Sequence, residues 1–442
     1  MANYQNGSDL VSSVLNVCGE LTDGTSSFQA DALVYLNLAY KGVLTGGNIY
    51  GIDVADPWPW ALSKRPISIT LQPAIQNITV TVTQLSYTVT FSAPPQDPYG
   101  NNISVKGWWL NAIQGREEWF QITSHAVGST TAQIDVPYTE ASVANTTCKL
   151  ILLDYDLVDN SVVIESSNCY IDFTENDGSA HTATLAQGIY TPDSFVTLVA
   201  AALNAASAGA QVYSASWNAV TRLFTWSSNK SFQLNNASGT YASVSASEVM
   251  GLDCTDLTGA SSYTSVYPLN AINRLTSPML CYRKPNTPWR NPKNEGKIYE
   301  LSFNTFVREY PLTMLVAGTP DKFTVVKRAP NGIVTVRFNG YFYVPSKVEV
   351  GYIPVYRALQ NNTASIPVLP EEHRKYLVDA AAGMLMHDKV DSRRLEREGL
   401  AKAGLQALQH SSRKELSLVG ISYGKLVPRY GMTQKRWWWQ IT

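Results

Sequence analysis

Ile67-Ser68-Ile69-Thr70-Leu71, Ile78-Thr79-Val80-Thr81-Val82 and Tyr87-Thr88-Val89-Thr90-Phe91 alternate apolar with hydroxyl side chains. A period of two puts successive side chains on opposite faces, so each run reads as a half-buried antiparallel strand. Runs at Trp119 to Ile122, Thr131 to Val136 and Leu150 to Leu153, with turn residues between them, extend the pattern. Residues 66–158 are therefore expected to form a small sandwich-like or barrel domain.

On the N-terminal side of this stretch the period is helical. Ser8-Asp9 is expected to cap a run with Leu10, Val14 and Val17 on one face, and Ser27 a second with Leu33, Leu36 and Tyr40, ended by Gly42. In Asp56-Pro57-Trp58-Pro59-Trp60-Ala61-Leu62 the prolines forbid regular helix and the tryptophans need cover. Residues 1–65 thus read as a helical layer with a linker packed on it.

On the C-terminal side, residues 159–265 hold few Lys or Arg and read as a small α+β domain. Thr191-Pro192-Asp193 combines a cap, a first-turn proline and an acid at the positive helix end, followed by Phe195, Leu198, Val199, Ala202 and Leu203 on one stripe. Gln211 to Trp217 and Arg222 to Trp226 are expected to form a hairpin. Residues 266–365 return to strands, with Gly332 to Phe338 expected to pair with Lys347 to Tyr352. Pro370-Glu371-Glu372 opens a helix bearing Leu377, Ala380, Ala381, Met384 and Leu385; Asp391 starts another that runs to about His410. Residues 366–412 make that helical part, and 413–442 a basic arm ending Lys435-Arg436-Trp437-Trp438-Trp439-Gln440-Ile441-Thr442.

Helices at both ends and strands between them define the expected fold class. It is α+β, a small helical base formed by both termini with a β-hairpin layer, into which a β-sandwich-like and a small α+β domain are inserted.

With 442 residues, 45% hydrophobic and 16% charged, the chain can bury several cores, about three by a prior of roughly 150 residues each. The net charge of −1 hides a division: residues 1–270 hold 8 Lys and Arg against 22 Asp and Glu, a net of −14, and the rest 26 against 13, a net of +13. Such a molecule is suited to partners of opposite charge at its two ends. Met1 to Leu10 is polar, and no stretch nears the ~18 apolar residues of a membrane span, so synthesis in a host cytoplasm and no membrane partner are expected. Cys18, Cys148, Cys169, Cys254 and Cys281 are odd in number and widely spaced, which favours buried thiols.

Chemistry has little support. His125, His181, His373, His387 and His410 are scattered without ligand spacing, and no phosphate-cradling glycine loop is present, so no metal, cofactor or enzymatic activity is expected. Asp154, Asp156 and Asp159 could hold a cation or form a glycoside-cleaving pair, but they and Glu117-Glu118 read better as solvated strand ends. Arg393, Arg394 and Arg397, with Lys402, Arg413 and Lys414, could touch DNA phosphates; interleaved Asp391, Glu396 and Glu398 favour pairing on a solvated or subunit-facing side. Any contact with DNA would be transient and non-specific. Three adjacent tryptophans on a basic tail read as an anchor for partner pockets.

Four segments carry a resemblance: Ala32 to Tyr40, Pro57 to Ala61, Val348 to Tyr352, and Ile366-Pro367-Val368-Leu369-Pro370-Glu371-Glu372-His373 before an Ala-rich helix. In this order they resemble the head-to-tail adaptor proteins of short-tailed bacteriophages, also termed neck or head-completion proteins, over residues 8–65 and 266–410. The resemblance implies a structural virion protein of the neck between head and tail, a homo-oligomeric ring of twelve docked beneath the portal. Its far side would meet the tail nozzle or tail fibre proteins, and its channel would pass the genome during ejection. On that reading the helical layer, including Leu33, Leu36, Tyr40, Leu377, Ala381, Met384 and Leu385, builds the ring base. Lys435, Arg436, Trp437, Trp438, Trp439 and Ile441 would form the portal-binding arm, and Arg393, Arg394 and Arg397 would face the DNA channel. The alternative from another class is a tail-associated glycan-binding or hydrolytic protein, and a third is a decoration protein of the capsid shell.

Overall fold

The computed structural model describes the chain apart from residues 1–3, 23–26, 50–51, 55–57, 59–60, 64, 114–117, 208–210, 278, 283–294, 312–315, 319, 342–344, 389–390 and 419–442. The protein is mixed α+β. Among the described residues it has six α-helices, α1 (Gly7–Cys18), α2 (Gln29–Thr45), α3 (Pro192–Ala206), α4 (Phe303–Glu309), α5 (Lys375–Asp388) and α6 (Arg394–Leu418). The chain folds into two compact units, both discontinuous in sequence: Met1–Ser63 with Asp159–Arg274 and Ile353–Thr442, and Lys64–Val158 with Leu275–Tyr352.

The first unit holds a helical core. Leu10, Val14, Leu36, Tyr40 and Val43 of α1 and α2 meet Leu377, Ala381 and Leu385 of α5 and Ala401, Leu405 and Leu408 of α6 in one buried cluster. Local signals explain the helix ends, though not always those expected. Asn6, and not Ser8-Asp9, caps α1 by accepting from the Asp9 N–H. The helix can begin there because residue 7 is glycine; a Cβ would lie 1.9 Å from the Gln360 carbonyl oxygen. No side chain caps α2, which follows Phe28 and runs past Gly42 to Thr45, because its last turn brings Val43 and Leu44 into the core. Trp58 is buried as expected, and its Nε1 donates to the Val43 carbonyl at 2.7 Å. Glu371–His373 form a 3-10 turn before α5. Asp391 stands ahead of α6, accepting from the Arg393 N–H.

A second core in this unit belongs to residues 159–270. The strands Tyr170–Thr174, Ala180–Thr184, Tyr213–Asn218, Leu223–Leu234 and Leu257–Thr264 make an antiparallel sheet, and α3 packs on it through Phe195, Val199 and Leu203. Thr191 caps α3 through the Ser194 N–H, with Pro192 in the first turn. The Tyr213–Asn218 and Leu223–Leu234 strands pair from Asn218↔Leu223 to Tyr213↔Ser228, the expected hairpin.

The second unit contains a closed barrel and a seven-stranded sheet. The barrel runs Ile75–Val82, Thr88–Phe91, Thr131–Ile134, Phe120–His125, Trp109–Asn111, Val143–Ile151 and back to the first strand. Its interior is filled by Val80, Val89, Phe91, Leu110, Ile122 and Leu150, and closure leaves no free edge. Two expectations are corrected here. The strand Ile67–Leu71 lies outside the barrel: all five of its residues pair with Ser346–Val350 in the seven-stranded sheet, a partner that its alternation does not specify. The expected hairpin between Gly332 to Phe338 and Lys347 to Tyr352 does not form. Val334–Phe338 pairs with Lys322–Arg328 and Asp154–Leu157, while Ser346–Val350 pairs with Met279–Tyr282 and Ile67–Leu71. Each strand gains two neighbours instead of one, and the residues between them are used by Gly340–Tyr341, which pairs with Val316–Ala317.

Candidate assembly surface

The helical core draws on both ends of the chain, so each contact across it is long-range. Arg374, ahead of α5, donates to the carbonyls of Tyr4, Gln5, Pro367 and Leu369 at 2.7 to 3.1 Å. A guanidinium satisfies four carbonyls because its N–H groups form a rigid planar fork. Burial lowers its affinity for a proton from the ordinary arginine value. The Tyr40 hydroxyl accepts from the Val368 N–H at 3.0 Å, and burial pushes its phenol well above the usual range. Asn37 closes a further link, accepting from the Leu359 N–H and donating to the Leu359 carbonyl.

Helix α5 is surrounded. Its Asp379 carboxylate is buried and pairs with Arg397 of α6 at 3.4 Å and Lys375 at 3.9 Å. Burial raises the Asp379 carboxyl above its usual value, opposed by Lys375 and Arg397. On a second side, Tyr35 of α2 donates to Asp388. On a third, Cys18 of α1 lies against the Ala382 carbonyl.

The residues expected to form the base divide by burial. Leu36, Tyr40, Leu377, Ala381 and Leu385 are interior to the core, and Leu33 and Met384 are half-buried. Interior side chains hold the chain's own core together and present nothing outward. Two side chains that do face outward were not singled out from sequence, Val34 at 55% and Leu38 at 52% exposure on α2; Leu395 on α6 is 68% exposed. A signal was present, since Leu33-Val34-Tyr35-Leu36-Asn37-Leu38-Ala39-Tyr40 is apolar around most of the helix while only one face can enter the core.

Arg393, Arg394 and Arg397 each have an acidic neighbour. Arg393 pairs with Asp391 at 2.7 Å, which raises its proton affinity, and Arg394 with Glu398 at 3.4 Å. Arg397 faces buried Asp379. The three are occupied within the chain, which leaves less free charge for phosphates than the sequence pattern implies. Lys435, Arg436, Trp437, Trp438, Trp439 and Ile441 lie outside the described residues.

The other candidates have structural partners. Arg337 grips Asp154 in two hydrogen bonds of 2.6 and 2.7 Å. Asp156 accepts from Thr335, and Asp159 from Ser161. Glu118 accepts from the Thr139 hydroxyl, while Glu117 lies outside the described residues. Cys18, Cys148 and Cys169 are buried and Cys254 is half-buried; burial pushes the Cys148 thiol up to about 12. Among the described residues no group of three His, Cys, Asp or Glu could hold a metal ion, and no helix is long and apolar enough to cross a membrane.

No protein-family model matches the chain, and no curated protein matches it.

Proposed function

We propose that the chain is a non-enzymatic virion protein, a ring-forming head-to-tail adaptor that joins a phage portal to the tail and continues the DNA channel. On this reading the helical core forms a base, and the barrel and the 159–270 lobe are insertions that meet tail components. The observation that carries it is the single core that α1 and α2 share with α5 and α6. A base built from both termini lets intervening segments be lengthened without disturbing it. The charge division of −14 before residue 271 and +13 after it supports head-to-tail contact between copies, basic against acidic.

Counting copies per virion tests this directly. A ring stoichiometry of about a dozen supports the adaptor, hundreds of copies would identify a shell decoration protein, and a single copy would end the proposal. Negative-stain images of the protein mixed with portal should show docked rings; binding on a glycan array without rings would favour a tail-associated glycan-binding protein. Removing residues 435–442 should abolish portal docking while leaving the fold intact.

A further inference from the structure

The sequence holds three Asn-Gly pairs, Asn6-Gly7, Asn331-Gly332 and Asn339-Gly340. Such a pair can modify itself, because glycine has no Cβ to keep its backbone nitrogen from reaching the side-chain amide that precedes it. The fold treats the three differently, and two of them are locked. The Gly7 N–H donates to the Ser365 carbonyl at 2.7 Å, the glycine is buried, and Asn6 accepts from the Asp9 N–H at the start of α1. Releasing that nitrogen would open the helix end. Asn339 is held by three hydrogen bonds: its Oδ1 accepts from the Asp321 and Lys322 N–H groups, and its Nδ2 donates to the Asp321 carboxylate. Gly340 beside it is buried and pairs with Val316.

Asn331-Gly332 stands instead at the tip of the hairpin between Lys322–Arg328 and Val334–Phe338, and both residues are half-buried. Gly332 has φ 79, and its N–H closes a turn onto the Ala329 carbonyl at 3.0 Å. Opening that turn releases the nitrogen, a smaller change than opening α1 or unpairing a buried strand. The Ile333 N–H already donates to Asn331 Oδ1 at 3.3 Å, the oxygen on which negative charge gathers when the amide carbon is attacked.

We propose that Asn331 is a site of self-modification through a cyclic imide. The Gly332 nitrogen, its proton taken by hydroxide, bonds to Asn331 Cγ; the Cγ–Nδ2 bond then breaks and ammonia leaves, giving a succinimide. Water opens the ring at either carbonyl to yield aspartate or isoaspartate, so the balance is one water consumed and one ammonia released, with nothing oxidised. The product adds a negative charge to a chain of net −1, within a few residues of the exposed Lys327 and Arg328. In isoaspartate the main chain is also longer by one carbon, inside a turn that the Ala329 and Ile333 hydrogen bonds hold to a fixed length. Neither product returns to asparagine, so this hairpin tip records the age of the molecule. The site does not depend on the adaptor reading.

Peptide mapping of the full chain by mass spectrometry tests this, after incubation at mildly alkaline pH in buffer and, separately, in denaturant. In the folded chain Asn331 should lose ammonia about tenfold or more faster than Asn6 and Asn339, and in denaturant the three rates should converge to within about twofold. Both isoaspartate and aspartate should appear at position 331, told apart with an isoaspartate methyltransferase used as a reagent. In Asn331→Gln, whose longer side chain would have to close a larger ring, the acidic species that accumulates in wild type should be absent. Asn331 that stays intact in the folded chain, Asn6 or Asn339 converting as fast as Asn331, the same acidic species forming in Asn331→Gln, or aspartate at 331 without isoaspartate, which is direct hydrolysis, would each overturn the proposal.

Discussion

The helical core and the barrel bury similar kinds of side chains by opposite routes. The barrel is closed within residues 75–151, and each strand pairs with others from the same stretch. The helical core joins residues 10–61 to residues 353–408. A contiguous element can form as soon as its own sequence is present; a discontinuous one depends on everything that brings its halves together.

That contrast can be broken experimentally. Ending the chain after Arg393 removes α6 and uncovers α5, so segment-resolved hydrogen exchange should show protection lost throughout residues 375–388 and kept in residues 120–134. Loss of protection in both would show that the barrel depends on the helices. A milder change of the same kind is Leu377→Ala, at a fully buried position. It should cost about 3 kcal/mol in denaturant unfolding of the helical core, with barrel protection unchanged.

Proton linkage sharpens the comparison further, because the helical core contains a buried carboxyl. Burial holds the Asp379 proton more tightly than in the unfolded chain, against the pull of Lys375 and Arg397. Stability from this group is therefore full below the ordinary carboxyl range and is lost as pH rises through the folded value. Asp379→Asn cannot titrate, so its stability relative to wild type should improve as pH rises through and above the ordinary carboxyl range. A difference that stays flat with pH would mean that the carboxyl titrates alike in the folded and unfolded chains.

The smallest expected effect lies in the barrel and has the opposite sign. Leu85 sits at φ 64 in a turn between two barrel strands, a left-handed conformation that disfavours a branched side chain, and is 72% exposed. Leu85→Gly should stabilise the barrel by about 0.5–1 kcal/mol, read as a rise in its unfolding midpoint. No gain would mean that the turn relaxes around leucine at little cost.

What could be read from sequence follows the same division. The cap and proline at Thr191-Pro192, the hairpin at Asn218 to Leu223, the cover of Trp58 and the buried stripe of α5 are local or face-specific, and their signals sit within a few residues. Partner choice across the chain was not legible. Ile67–Leu71 has the same alternation as the barrel strands, yet pairs almost 280 residues away with Ser346–Val350. Period two says which side chains share a face, not which strand lies alongside. Among the site residues, sequence identified the apolar content of α2 but not that Val34 and Leu38 would be left outside, because that depends on where α5 lies.

The grip of Arg374 on Tyr4 and Gln5 has a consequence for biosynthesis. Tyr4 is added to the growing chain 370 residues before Arg374, which at about 5–20 residues per second is roughly 20–70 s. Through that interval α1 and α2 lack the cover that α5 and α6 give them. Slower translation lengthens their wait, so yield of folded protein should depend on chaperone supply while the chain is still nascent.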